Sequence, residues 1–351
     1  MNKQWVQSLL RLVVAFLIGL VISSIFIIAV GENPIAAYRE LMLGAFSGTL
    51  EIFTTLRWTV PYIIVGIGAA ASFKAGLFNM GLEGCVYCGA LAAGLLGTIK
   101  GLPSIVHIPL CMFGAFLVGS LWMLVPAYLK ARRGVSEVII TWMQSYAMVL
   151  LCSFLVTEYF QLPEDVSSAA QQVRTPMIEE SAQLSVLLEP YKLNTSLFIA
   201  LLLVVGFYIF SKHTKYGYEH RMLGISSQFA VYGGVKTKQI QFWSLIVSGG
   251  IAAIAGASET MGVNGQYIHG FSTEMGPNGI MVALMGRLNP IGILFSSLFM
   301  GAIQGGARSM VRNTGVSAYT MRIMIGIIVI CITADGLFEL LRIKKQHREG
   351  D

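Results

Sequence analysis

Long stretches without a charged side chain recur along this chain, and that recurrence restricts the folds open to it more than any motif does. A helix needs about 20 predominantly apolar residues to cross the hydrocarbon core of a bilayer. Windows of this kind run Leu12–Val30, Trp58–Phe73, Ala75–Ile99 (interrupted by Glu83), within Leu102–Leu129, Val138–Thr157, Leu193–Ser211, Gln239–Ser258 and Leu288–Ala307. Met275–Gly286 is only about half a span at about 1.5 Å per residue. A last window runs from Ile323 to about Leu341, with Asp335 and Glu339 near its end. Only 12% of the residues are charged, against about 25% in a soluble domain, and a water-soluble fold of 351 residues could not cover its surface with so few. Disorder is excluded too, because it needs low hydrophobicity and high charge. The expected fold is an all-α polytopic membrane protein with about ten transmembrane helices, one of them short or broken. It forms a single transmembrane domain over residues 1–351.

Lys and Arg set the orientation, since they concentrate in cytoplasmic loops. With Lys3 and Arg11 inside, Lys130, Arg132, Arg133, Lys212, Lys215, Arg221, Lys236, Lys238 and the tail residues Arg342, Lys344, Lys345 and Arg348 also fall inside. The opposite loops are richer in acid: Glu32, Glu40 and Glu51 in Gly31–Arg57, and six carboxylates in Glu158–Lys192. Arg308, Arg312 and Arg322 dissent. Both termini are therefore expected in the cytoplasm, with an extracytoplasmic loop at about 158–192 and a cytoplasmic tail at 342–351. This parity requires Met275–Gly286 to cross. The first apolar window is too long for the core of a signal peptide and is expected to remain as an uncleaved helix. Small-residue stripes (Gly89, Ala93, Gly97; Gly249, Ala253, Ala257; Gly301, Gly305) suit close helix packing in lipid.

Polar groups inside apolar runs mark candidate functional positions, because a charge at mid-bilayer is costly and usually faces a cavity or a partner. Glu83 lies in Asn79-Met80-Gly81-Leu82-Glu83-Gly84. Asn79 and Glu83 share one face if the segment is helical, whereas Gly81 and Gly84 favour a local break of the kind that lines transport paths. Glu259 closes the seventh window ahead of Asn264-Gly265-Gln266, where interfacial solvation would also account for it. Gln144 and Ser145 lie mid-way along the fifth. The polar stretch Met261–Asn278 leads through Pro277 into the half-length segment, as a gate element or a plain short span. In the basic loop at about 212–240, glycines bracket Ile225–Tyr232, a short helix with Phe229 and Tyr232 exposed at i, i+3. Such a knob suits a partner's groove, or else lies on lipid headgroups.

Several chemistries are absent. The basic residues form islands between apolar runs, not a soluble basic face, so no nucleic-acid partner is expected. Five cysteines, four of them inside apolar runs, make no disulfide framework. The lone Cys85-x-x-Cys88 has no second pair or histidine cluster to make a metal site. There is no phosphate loop, metalloprotease helix or nucleophile elbow, so an enzyme is not expected, nor a bound cofactor.

Several stretches together resemble one family, the permease subunits of bacterial ABC importers of the branched-chain amino acid/ribose type, in the nucleoside or simple-sugar branch. Phe78-Asn79-Met80-Gly81-Leu82-Glu83-Gly84 is similar to F-N-I-G-x-E-G, and Ser136-Glu137-Val138-Ile139 to N-E-V-I. Thr175-Pro176 followed by Glu180-Ser181-Ala182 looks like the branch's outer-loop pattern. Gly279–Pro290 is similar to G-I-A-V-A-L-L-G-R-L-N-P. The basic loop matches G-x-N-P-x-A-A-x-Y-x-G-I at Gly224, Ala230, Tyr232 and Gly234, and departs from it at Ser226-Ser227 and Phe229. The resemblance covers about Pro61 to Leu341. It implies a multi-pass protein of the bacterial cytoplasmic membrane that pairs with a second permease subunit, identical or paralogous. It further implies two cytoplasmic ATPase subunits that hydrolyse the ATP, and an extracytoplasmic substrate-binding protein. Gly224–Val235 would be the coupling helix, with Gly224, Gln228, Phe229, Ala230, Tyr232 and Gly234 meeting the ATPase. Asn79, Glu83, Gln144, Glu259, Asn264 and Asn278 are the candidates for the substrate path or its gate. The rival expectation is a proton- or ion-coupled secondary transporter with Glu83 and Glu259 as carriers.

Overall fold

The computed structural model describes residues 3–161, 173–188, 192–272 and 274–332, with side chains from residue 14 onward. The expected tail at 342–351, the last part of the expected tenth span with Asp335 and Glu339, and residues 162–172 and 189–191 of the expected outer loop lie outside the described residues. The chain divides into two compact units, one built from the residues up to Thr55 and from Gly301 onward, the other from Leu56–Met300.

In the first unit, α1 (Lys3–Ala29) turns through 118° into α2 (Pro34–Phe46). Asn33 makes the turn: its side chain accepts the Ile35 amide at 2.9 Å, and Pro34 starts the next helix with a preset φ. Tyr38 donates its hydroxyl to the Leu20 carbonyl at 2.6 Å and so fastens α2 back onto α1. This corrects the expectation of a plain loop over Gly31–Arg57. It holds α2 and the first turns of α3 (Thr49–Phe73), whose charges on helix faces break the apolar window without breaking the helix.

The second unit contains α4 (Leu82–Leu96), α5 (Ser104–Trp122), the short α6 (Leu124–Tyr128) and α7 (Glu137–Leu155). After a two-stranded hairpin, β1 (Val186–Leu188) against β2 (Leu193–Asn194), come α8 (Ser196–His213), α9 (Lys215–Ile225), α10 (Ser227–Tyr232), α11 (Thr237–Glu259) and α12 (Met275–Met285). The chain continues through α13 (Pro290–Asn313) and α14 (Ala318–Ile332). Among the described residues, six helices are long and apolar enough to cross a membrane. The α1–α2 pair is a bent candidate, and α4, α12 and α14 are shorter apolar helices.

The core of the second unit is where α4, α5 and α11 meet through small residues. A methyl added at Gly89 would lie 2.1 Å from the Ala253 carbonyl oxygen, so the two backbones approach as only glycine allows. On another side of α4, Cys88 packs in a cluster with Met148 and Cys152 of α7 and with Tyr267. The loop between α7 and α8 is stitched to the stretch after α11 by backbone bonds: Thr175 to Tyr267 at 3.0 Å, Ile178 to Gly265 at 2.9 Å and Leu184 to Met261 at 3.0 Å. Both segments are irregular, and each satisfies the other's amides.

Candidate functional site

The stretch Lys74–Gly81 between α3 and α4 is not helical, which settles the choice left open by the sequence. Asn79 and Glu83 do not share a helix face; the chain is unwound up to Gly81. An unwound backbone in oil must find partners for its amides, each costing several kcal/mol if left bare. One face of α7 supplies them. Glu137, Thr141 and Ser145, spaced i, i+4, i+8, accept the amides of Phe78 at 3.3 Å, Met80 at 3.0 Å and Gly84 at 2.8 Å. The Asn79 side-chain Oδ1 accepts the Gly81 amide at 2.9 Å. Its NH2 group donates to Ser248 on α11 at 3.1 Å, and Ser248 donates to Ser72 on α3 at 3.2 Å. Lys130 holds Glu137 from behind at 2.7 Å.

Glu83 sits in the first turn of α4 and accepts the Gly276 amide in the first turn of α12 at 2.5 Å. Two helix N-termini, each carrying partial positive charge, thus meet at one carboxylate. Gly276 has no space for a side chain: a methyl there would lie 2.4 Å from the Glu83 amide nitrogen. Two residues on, the buried Asn278 donates to the Tyr62 hydroxyl at 3.5 Å. Beyond the far end of α12, Arg287 and Leu288 take left-handed φ values of 51° and 55° before Pro290 restarts the helix. Consecutive non-glycine residues in that region are uncommon and sterically strained.

Glu259 is not a solvated interfacial group. It is only 4% exposed and pairs with Arg57 at 2.5 Å, while the Arg57 guanidinium lies 4.0 Å over the Trp58 ring. Gln144 donates to the Trp122 carbonyl at 2.5 Å, and Asn264 lies half-buried at the end of a π-helical turn that extends α11. Of the six candidates, Asn79 and Glu83 lie on one stretch of chain but bond different partners, Ser248 and the Gly276 amide. Glu259, Gln144 and Asn278 each have a separate partner.

The basic loop carries the expected short helix, beginning at Ser227. Ser226 caps it by accepting the Phe229 amide at 3.3 Å, and Gly234 ends it at φ +74°. Phe229 is 65% exposed and Tyr232 90%, with Ile225 beside them at 88%. Ala230 on the opposite face is fully buried against Leu223, Leu245 and Ile246. Behind α10, α9 is fastened to the ends of α3 and α8. His220 bonds the Ala71 carbonyl at 2.8 Å, Arg221 donates to the Ser211 carbonyl and Lys74 to the Ser211 hydroxyl, both at 2.5 Å. Burial pushes the His220 pKa down to about 4, and the Lys74 charge adds to that, so the imidazole is neutral at pH 7. Gly224 abuts the start of the unwound stretch so closely that a methyl would lie 2.2 Å from the Lys74 carbonyl oxygen. A continuous contact therefore runs from the exposed aromatics through α9 to Lys74–Gly76, then along residues 78–84 to α12.

Sequence reasoning missed Glu137 and Thr141 as amide acceptors, and Arg57, Ser72 and Ser248 as partners. The polar spacing i, i+4, i+8 in an otherwise apolar helix was the signal available for the first two.

The sequence profile of the Branched-chain amino acid transport system / permease component family matches residues 51–333. The guanosine ABC transporter permease protein NupP of Bacillus subtilis is 30% identical over 334 residues, covering 93% of this chain and 94% of that protein. The nucleoside ABC transporter permease protein NupB of Lactococcus lactis is 28% identical over 348 residues, covering 97% and 94%. The glucose ABC transporter permease protein TsgB13 of Haloferax volcanii is 24% identical over 341 residues, covering 94% and 88%.

Proposed function

Because this chain belongs to the branched-chain amino acid transport system permease component family, and is a membrane transport subunit, we propose that it carries nucleosides inward, driven by ATP hydrolysed in a separate subunit. Two relatives matched over nearly their whole length are named for guanosine or nucleoside transport, and the glucose relative keeps simple sugars as the second substrate class. The six long helices, the bent pair and the three shorter ones are read as ten spans. The basic end, with both termini, faces the cytoplasm of a bacterial cell. A second permease subunit completes the path, two ATPase subunits grip α10, and a binding protein delivers substrate at the opposite end.

The observation that carries the ATP-driven reading is the exposed aromatic helix backed by the Gly224–Lys74 contact. An ATPase closing on Phe229 and Tyr232 would shift α9, displace Lys74–Gly76 and slide residues 78–84 along the α7 ladder. The Glu83–Gly276 contact would then open or close, making α12 the gate. The protein alternates between two states, and ATP binding by the partner selects one of them. Asn79, Glu83, Gln144, Glu259, Asn264 and Asn278 remain our candidates for the path and its gate. The proton-coupled alternative uses Glu83 and Glu259 as carriers. The amide on the first and the arginine on the second occupy the oxygens that a carried proton would need, which disfavours that alternative.

The test is uptake of labelled guanosine by vesicles holding the whole complex and its binding protein. Uptake is expected only with ATP. Uptake into ATP-free vesicles under a pH gradient alone would overturn the proposal.

A further inference from the structure

A groove of about 1040 Å³ opens between α8 and α11, lined by neither Asn79 nor Glu83, with Ile67 and Ala71 of α3 among its lining. Leu203, Phe207 and Phe210 wall one side, and Ile240, Trp243 and Val247 the other. Its apolar length follows from the helices. Leu202 to Phe210 spans about 12 Å and Gln239 to Ile251 about 18 Å at about 1.5 Å per residue. Half of a hydrocarbon core of about 30 Å is about 15 Å. The apolar part thus has the depth of one leaflet.

One end of the groove is chemically different. Where α8 gives way to α9, the lining turns to Lys215, Tyr216, Glu219 and His220, joined by Gly234 and Lys236 from the segment after α10. Glu219 lies 3.9 Å from Lys215, a long contact that leaves the exposed ammonium open to a second anion. His220 is buried and bonded to the Ala71 carbonyl. Lys236 therefore leaves the end with a net positive charge. Exposed Tyr216 and Trp243 are of the type that anchors at a membrane–water interface. Basic pockets between transmembrane helices at such a surface suit acidic headgroups.

We propose that this groove is a binding site for one anionic phospholipid, with its acyl chains between α8 and α11 and its phosphate on Lys236 and Lys215. A second protein helix would meet the apolar walls equally well, but it brings no obligatory negative charge to the lysine end. Because Gly234 and Lys236 flank α10, the lipid braces the base of the exposed aromatic helix. Membrane composition then tunes how firmly that helix is held. This lipid is distinct from the transported substrate.

The test uses the full chain in detergent micelles, titrated with brominated phosphatidylglycerol or brominated phosphatidylcholine, reading the tryptophan quenching that Trp243→Phe removes. Phosphatidylglycerol is expected to quench Trp243 at the lower mole fraction. Lys236→Gln and Lys215→Gln should each raise its half-quenching point by about fivefold, a factor corresponding to about 1 kcal/mol per lysine. Gly206 also lines the groove and has open space at its Cβ, so Gly206→Phe should block the chains with both lysines intact and the melting curve unchanged. Equal quenching by the two lipids, or no response to these variants, would overturn the proposal. So would competition by glycerol phosphate as strong as that of the lipid, which marks a simple anion site. Cross-linking of two copies through Gly206→Cys would likewise reassign the groove to a subunit interface.

Discussion

The unwound stretch Lys74–Gly81 and the basic loop Lys212–Lys238 are both glycine-punctuated breaks in helical order, yet they treat their side chains in opposite ways. In the first, the side chains of neighbouring helices turn inward to satisfy backbone amides, as with Glu137, Thr141 and Ser145. In the second, caps within the loop do that work, and Ile225, Phe229 and Tyr232 stand out from the surface. Burial explains the contrast. An amide packed inside the bundle has no water to bond, so a neighbouring side chain must accept it, whereas an exposed loop can cap itself and leave its side chains on the surface. The two breaks touch at Gly224 and Lys74, so a shift in one is felt at the start of the other.

Three experiments sharpen that contrast. Removing two rungs of the ladder together, Thr141→Val with Ser145→Ala, leaves buried amides without acceptors and should cost about 2–5 kcal/mol in total. Thermal melting of the detergent-solubilised protein reads it, and a loss near zero would mean that the stretch finds other partners. Glu83→Ala should cost about 1–3 kcal/mol and abolish uptake, because the Gly276 amide loses its acceptor. Glu83→Gln keeps an acceptor, so melting should recover most of the loss while uptake reports whether the charge itself matters. At the other break, Phe229→Asp or Tyr232→Asp should change stability by no more than about 0.5 kcal/mol, as for an exposed position. The same variants should reduce co-purification of the ATPase at least tenfold. Full co-purification would remove the coupling role from α10.

Much of this architecture was legible in the residues. The absence of charge from Val138–Thr157 or Gln239–Ser258 forecasts a span whatever surrounds it, and α7 with the π-helical turn after it covers the first window and α11 the second. The glycine brackets around Ile225–Tyr232 forecast a short helix with two exposed aromatics, because spacing alone sets the face on which they appear. Gly31–Arg57 reads as a loop but folds as helix for the opposite reason. Arg39, Glu40 and Glu51 interrupt hydropathy, but charges on one face of α2 or the start of α3 do not interrupt a helix.

The apolar windows, the weak half-length segment and the polar residues that need an explanation were all determined by the sequence, since each depends on the transfer of a residue from water to oil. Which partner answers each polar group was decided only by the tertiary structure. Glu259 reads as a solvated end until Arg57, 202 positions away in sequence, is found beside it. Glu83 reads as a stray charge until the first turn of α12 arrives with its amide. A pairing depends on where two distant segments come to rest, and no window along one segment contains that information.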